Sequence, residues 1–298
     1  MLNLNEKKDE LVFGIIYFCL SCPLIPLYLL VVWAVHLRNE LKPSMTFKMV
    51  NLIHFWQIGQ TFGHLITAPI LIFPELQNTA PFVLRIIGSF MSLCYNAELP
   101  TMALLAVSRV FVFSNVLSKD EVPHFVKIIL PLVLLCWFII FIYSISTGFF
   151  IFVSPGWTFN SEVPYAVIIE NAYLITSLMC LFISYISYLV IVFMIYVRKK
   201  DSTSSSSKKE ELSIMIQYTI LVVYTTVGIF LWHKAAFWFD IQSTAFRGSL
   251  NIMWIMGSYL NPALILIFNK AVRKECKKIM ARRNIGKVKH VSSTASSK

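Results

Sequence analysis

Charged residues are scarce in this chain of 298 residues. Asp, Glu, Lys and Arg together make up 14% of it, whereas hydrophobic residues make up 57% and the mean hydropathy is +0.70. A soluble globular domain has about 25% charged and about 45–50% apolar residues. This composition excludes an ordinary soluble domain and predicts a polytopic membrane protein.

Aspartates and catalytic motifs are also missing from the long apolar runs. Each aspartate, at positions 9, 120, 201 and 240, falls in a terminus or a connection, which excludes an intramembrane aspartate pair. The chain contains no G-x-S-x-G, H-E-x-x-H or G-x-x-x-x-G-K-[ST] motif, and we expect neither an enzyme nor a bound cofactor or metal. No internal repeat relates the two halves, in contrast to many secondary transporters.

Cysteines are absent from every predicted outer loop. The six fall within apolar runs or in the C-terminal tail, at Cys19, Cys22, Cys94, Cys136, Cys180 and Cys276. An extracellular disulfide framework is therefore not expected.

Seven apolar segments remain, and each reaches the roughly 20 residues that a helix needs to cross a bilayer. We expect an all-α bundle of seven transmembrane helices over 11–268, after an extracellular N-terminus at 1–10. An amphipathic membrane-surface helix should follow at 269–283, and a disordered cytoplasmic tail at 284–298. The segments are 11–37, 47–73, 82–113, 125–153, 164–197, 212–232 and 247–268.

The distribution of basic residues predicts the orientation. With the N-terminus outside, the inner connections and tail hold twenty-one Lys and Arg residues and the outer side holds five. The positive-inside rule therefore favours an outer N-terminus and a cytoplasmic C-terminus. The net charge of +11 then reflects topology and anionic membrane lipids, and not a nucleic-acid partner.

Two charged residues in the third segment stand out. Glu98 is the only acid near the middle of a long apolar run, and Arg109 follows eleven residues later on nearly the same helix face. The two lie roughly 16 Å apart along a helix axis, one at mid-membrane and one at the inner mouth. Glu98 can be a ligand contact, an ion site or a protonated hydrogen-bonding group, so it does not by itself imply a cationic ligand.

Polar residues at helical spacing in the second and seventh segments predict an interior polar network. Its expected members are Asn51, His54, Gln57 and Ser258, and Asn251, Trp254 and Asn261 share the stripe of Ser258. Hydrogen bonds that only hold the helices together are the simpler interpretation of any one of these residues.

The segment after Asn269 has Val272, Cys276 and Ile279 on one helical face and basic residues opposite, the pattern of a helix on the inner leaflet. Cys276 is a candidate for palmitoylation, with an unmodified buried thiol as the alternative.

Several stretches resemble one receptor family in their detailed sequence. They are IPLYLLVVWAVHLRN in the first segment, TFKMVNLIHFWQIGQ entering the second, LLAVSRVFVF ending the third and SYLNPALILIFNKAVRKE across the seventh. They are similar to the nematode serpentine chemoreceptors, a branch of the rhodopsin-like G-protein-coupled receptors. Class V fits best, with classes T, X and G as neighbours.

The resemblance implies a heterotrimeric G protein as partner and roles for three residues. Arg109 matches the arginine of the Asp/Glu-Arg-Tyr motif, with Ser108 and Val110 as departures, and Asn261 and Pro262 match the start of the Asn-Pro-x-x-Tyr motif. The span-three cysteine of the usual outer disulfide is absent. These residues are the expected G-protein coupling and activation switch.

We therefore expect a plasma-membrane chemosensory receptor for a small extracellular ligand, with sensory cilia as a candidate location. The alternative is an ion channel or transporter that uses the intramembrane polar residues as a pathway. Aromatic walls with a few polar groups suit a small ligand. The candidate ligand contacts are Tyr95, Glu98, Glu170, Tyr173, Trp232, Asn251 and Trp254.

Overall fold

The computed structural model describes residues 4–37, 45–118, 121–198, 205–234, 243–270 and 272–281. Seven long helices dominate this part of the chain, and each expected segment overlaps one of them. A short helix, a two-stranded hairpin and a final helix over 272–281, which we call α9, complete it. The other elements are α1 (Leu4–His36), α2 (Met45–Ile72), α3 (Glu75–Thr79), α4 (Pro81–Phe113), α5 (His124–Thr147), β1 (Phe150–Val153), β2 (Gly156–Phe159), α6 (Ala166–Arg198), α7 (Ser205–Lys234) and α8 (Thr244–Phe268).

Six of the long helices are long and apolar enough to cross a membrane, namely α1, α4, α5, α6, α7 and α8. The exception, α2, is 28 residues long but carries a row of buried polar residues that includes His54, Gln57 and Gln60. It packs between α1 and α4 and also touches α8. Its neighbours therefore shield these polar groups, and the seven-helix fold predicted from the sequence is confirmed.

The central helix is α4, which packs against α2, α5, α6 and β1 and is mostly buried. By contrast α5 is mostly exposed, with apolar side chains such as Ile128, Leu132 and Ile139 on its open face. An exposed apolar face of this kind suits lipid chains. These features together describe a multi-pass membrane protein.

The expected fourth segment, 125–153, is wrong at its C-terminal end. Helix α5 stops at Thr147, since Gly148 adopts a left-handed conformation with φ of 71° and its N–H bonds to the Ser144 carbonyl. The following residues form strand β1, which pairs antiparallel with β2 so that Phe150 faces Phe159.

The hairpin closes one end of the bundle, which we call the hairpin end. Trp157 on β2 packs against α4, where a Cβ atom on Gly88 would lie 2.2 Å from the indole. Its Nε1 donates to Thr67 Oγ1 of α2 at 3.0 Å, and the Tyr17 hydroxyl of α1 lies 3.0 Å from the Pro155 carbonyl. Helices α1, α2 and α4 thus hold the hairpin through packing and hydrogen bonds.

Candidate functional site

A cavity of about 110 Å³ lies beside the hairpin, between α2, α4, α6, α7 and α8. Aromatic rings form much of its wall, from Tyr95, Phe150, Phe159, Tyr173, Tyr224, Trp232 and Trp254. Polar groups at its boundary include Gln57, Gln60, Glu98, Ser92, Asn96, Ser177 and His233. An apolar enclosure with a few polar groups is the usual form of a small-molecule site.

Five of the seven candidate ligand contacts line this cavity: Tyr95, Glu98, Tyr173, Trp232 and Trp254. Trp254 of α8 lies at the centre of an aromatic cluster. The Tyr95 ring centroid is 5.4 Å from it and the Trp232 centroid is 5.7 Å away, both edge to face. Edge-to-face pairs of this kind are favourable beyond the area they bury, so the wall is pre-formed.

The two other candidates lie outside the cavity wall. Asn251 is 2% exposed and packs against the hairpin, where a Cβ atom on Gly156 would lie 2.1 Å from its Nδ2. The Glu170 side chain is 42% exposed, and its Oε1 lies 3.9 Å from Nδ1 of the cavity-lining His233. Asn251 thus supports the hairpin, and Glu170 sits beside the rim.

Some wall residues were not expected from the sequence. Phe150 and Phe159 reach the cavity because the hairpin folds back into the bundle, and Tyr224 and Gly228 come from α7. The alternation of aromatic residues on both sides of Ser154-Pro155 is the signal that could have revealed two strands.

Both oxygens of Glu98 are engaged by glutamines of α2. Gln57 Nε2 lies 2.6 Å from Glu98 Oε1, and Gln60 Nε2 donates to Glu98 Oε2 at 2.7 Å. The Trp254 indole donates in turn to Gln60 Oε1 at 2.6 Å. The aromatic wall is therefore connected to the buried carboxyl through a single side chain.

The same network continues away from the cavity. Gln57 Oε1 lies 2.8 Å from the Tyr28 hydroxyl and 3.0 Å from Asn261 Nδ2, and Asn261 Oδ1 lies 3.1 Å from Gln217 Nε2. The Tyr28 hydroxyl also donates to the Ser258 carbonyl. Side chains from α1, α2, α4, α7 and α8 thus form one connected polar chain.

Two expected members do not join this network. His54 is fully buried with its ring edge-on to that of Tyr28, at a centroid distance of 5.5 Å. Within the described residues, its ring nitrogens and Asn51 Oδ1 have no hydrogen-bond partner. His54 therefore contributes by packing.

Arg109 is buried at the end of α4 opposite the hairpin. Its guanidinium Nη2 donates to Thr46 Oγ1, at the start of α2, at 3.0 Å. It also interacts electrostatically with the phenols of Tyr188 on α6 and Tyr218 on α7. Arg109 therefore connects α4 to the start of α2 by a hydrogen bond and also acts electrostatically on α6 and α7.

The candidate lipidation site lies against the bundle. Cys276 on α9 is 2% exposed, its Sγ lies 3.9 Å from the Leu30 carbonyl of α1, and burial raises the pKa of the thiol. A protonated, enclosed thiol is a poor nucleophile, which favours the unmodified alternative.

No group of three or more His, Cys, Asp or Glu side chains in the described ranges is arranged to hold a metal ion.

A family comparison accounts for nearly the whole chain. Residues 2–289 match the family described as serpentine type 7TM GPCR chemoreceptor Srt. A comparison with curated proteins gave no match. The matching class is T, one of the neighbours considered above, and not class V. The chain belongs to the Srt family of serpentine seven-transmembrane chemoreceptors.

Proposed function

We propose that this protein binds a small extracellular molecule in the cavity beside the hairpin and activates a heterotrimeric G protein at the opposite end. The observation that carries the proposal is the unbroken contact path from the aromatic wall to the bundle interior. It runs from Trp254 through Gln60 and Glu98 to Gln57 and Asn261.

Binding can act on this path because its first member is a wall residue. A ligand that displaces the Trp254 ring changes its hydrogen bond to Gln60, and hence the support of Glu98. At the far end of the path, Asn261 precedes Pro262, where the missing N–H weakens α8, and it contacts Gln217 of α7. The ligand therefore biases how α7 and α8 meet.

The G-protein end is the one that carries Arg109. With the N-terminus outside, the hairpin faces the exterior and Arg109 faces the cytoplasm, beside the basic connections. Separation of α6 and α7 from α2 and α4 then exposes the arginine that now lies near Thr46, Tyr188 and Tyr218. In the plasma membrane, this orientation would make the cavity accessible from outside the cell.

The test is ligand-dependent nucleotide exchange on a G protein in membranes that contain the receptor, against a panel of volatile and soluble metabolites. Gly228→Val should abolish the response because its side chain fills cavity space. Gly228→Ala should retain much of it, since the nearest atom to an added Cβ is Met253 Cε at 3.4 Å.

Arg109→Ala should abolish exchange while surface expression and ligand binding persist, and Arg109→Lys tests whether charge alone suffices. A ligand-gated current that needs no G protein would instead support the channel alternative. Equal responses from Gly228→Val and the unmodified receptor would remove the cavity from the proposal.

A further inference from the structure

Pro262 determines which group accepts the hydroxyl proton of Tyr28. In a helix, the N–H of residue 262 would bond to the carbonyl of residue 258, but proline has no N–H to donate. The Tyr28 hydroxyl of α1 donates to this Ser258 carbonyl instead. A phenol has one proton, so Tyr28 has none left for its second neighbour.

That second neighbour is the side-chain amide of Gln57, 2.8 Å from the same hydroxyl. Because the Tyr28 oxygen can only accept there, Gln57 satisfies it by presenting its NH₂ group. The two ends of an amide are nearly equal in size, so a half-turn of the Gln57 amide makes this exchange in place. The turned NH₂ group then faces Asn261, so the amides of Asn261 and Gln217 turn in the same way and keep their hydrogen bonds.

The turned amide brings its carbonyl oxygen to Glu98 Oε1, at the present separation of 2.6 Å. Two oxygens at this distance require a proton between them. A half-turn of Gln60 cannot relieve this oxygen–oxygen contact. The Trp254 indole is a donor only, so the Gln60 carbonyl must face it. Gln60 therefore continues to donate to Glu98 Oε2.

We infer that Glu98 is a neutral carboxylic acid that donates its proton to Gln57, and that the cavity it lines selects small uncharged ligands. The assignment of ligand class rests on the proposed function, whereas the protonation of Glu98 does not.

The surroundings of Glu98 agree with a neutral acid. The titratable groups that interact with it electrostatically are Tyr28 on α1, Cys94 and Tyr95 on α4, and Tyr218 on α7, which are all uncharged when protonated. Within the described residues, no Lys, Arg or His nitrogen lies within 4.0 Å of its carboxyl group. A buried carboxylate without a counter-ion is costly.

The same wall offers little to a charged ligand. Apart from Glu98 and His233, the described lining residues include no acid, lysine, arginine or second histidine. A neutral Glu98 removes the counter-ion that a cation needs, and an anion finds no fixed positive charge. The volume of about 110 Å³ can be set beside the engineered apolar cavity of about 150 Å³ that binds benzene, which indicates a ligand near the size of one ring.

Infrared spectroscopy of the receptor in lipid nanodiscs at neutral pH tests the protonation. The C=O stretch of a protonated carboxyl should be present in the unmodified protein and in Glu170→Gln, and absent in Glu98→Gln. If Glu98→Gln does not fold, isotopically labelled glutamate should shift the band of the unmodified protein. Absence of a glutamate carboxyl band would overturn the inference.

Two proline variants test the role of Pro262. Pro262→Ala supplies an N–H to Ser258 and frees the Tyr28 proton for Gln57, so the band should weaken. Pro131→Ala, in the exposed helix α5, should leave it unchanged. A full band in Pro262→Ala would contradict the path through Tyr28.

Saturation-transfer NMR with benzyl alcohol, benzylammonium and benzoate tests the ligand class with three probes of similar shape. Benzyl alcohol should receive saturation that Gly228→Val reduces to background, and the two ions should not. Equal or stronger transfer to either ion, or no transfer to benzyl alcohol that depends on Gly228, would overturn the assignment. None of these measurements needs a G protein. They therefore distinguish a failure of this inference from a failure of the proposed signalling function.

Discussion

Two glycines, each packed against a larger side chain, position the hairpin over the cavity. The indole of Trp157 lies where the Cβ of any larger residue at Gly88 would be, and the Asn251 amide fills the corresponding space at Gly156. Neither contact involves charge, and the second explains the polar stripe of α8 at Asn251 without a ligand. The position of the hairpin beside the cavity therefore depends on glycine at positions 88 and 156.

We expect Gly88→Val to lower stability by about 1–3 kcal/mol, the usual cost of overpacking a well-packed core. The valine cannot fit unless the rigid Trp157 ring moves, which also displaces Phe150 and Phe159 at the cavity. Thermal unfolding of the receptor in nanodiscs measures the change. Gly228→Ala is the matched control, and an equal unfolding temperature for both variants would contradict the packing argument.

At the scale of elements, α9 completes the bundle by packing on α1. Val272 and Cys276 are buried in the same apolar cluster as Val31 and Val35 of α1. Lys274 and Lys277 are on the exposed face of α9. At least this part of the apolar face of α9 therefore packs against the helix bundle.

An acyl-exchange assay should find the same lipid content in the unmodified receptor and in Cys276→Ala. An acyl chain on Cys276 would require α9 to leave α1, since the sulfur lies near the Leu30 carbonyl. Cys136→Ala, at an exposed thiol on α5, is the control for the background. Acylation that disappears only in Cys276→Ala would show that α9 detaches in the membrane.

Some structural elements could be predicted from the sequence and others could not. Long apolar runs predict seven helices because each must cross a bilayer, and helical spacing placed Tyr95, Glu98 and Trp254 on interior faces. The hairpin was missed because its Phe-rich first strand extends the apolar run of α5. Gly228 was missed because the polar residues of α7, among them Gln217, Tyr224 and Thr226, lie on more than one helix face. Only the neighbouring helices determine which of these faces borders a cavity.

At the scale of the whole molecule, no disulfide ties the hairpin to the bundle in the described part of the chain. All six cysteines are free, and the hairpin is held by Trp157, Tyr17 and Asn251 through packing and hydrogen bonds. The polar chain from α1 to α8 adds interhelical hydrogen bonds that are worth up to about 1–2 kcal/mol each in membrane helices.

Reducing agents should therefore leave both stability and ligand response unchanged. Thermal unfolding and nucleotide exchange, each measured with and without dithiothreitol, check this expectation. A receptor of known disulfide dependence serves as the positive control. A lower unfolding temperature in dithiothreitol would reveal a cystine that forms in the cell.

The small volume of the cavity also limits how long a ligand can stay. Even the best small ligands gain no more than about 1.5 kcal/mol of binding free energy per non-hydrogen atom. A molecule that fits about 110 Å³ has few such atoms, so its affinity is bounded. Differences in affinity are mostly differences in dissociation rate, so a ceiling on affinity is also a ceiling on residence time. If the cavity binds its ligand as proposed, we expect the receptor to follow rapid changes in concentration and not to accumulate signal from brief exposures.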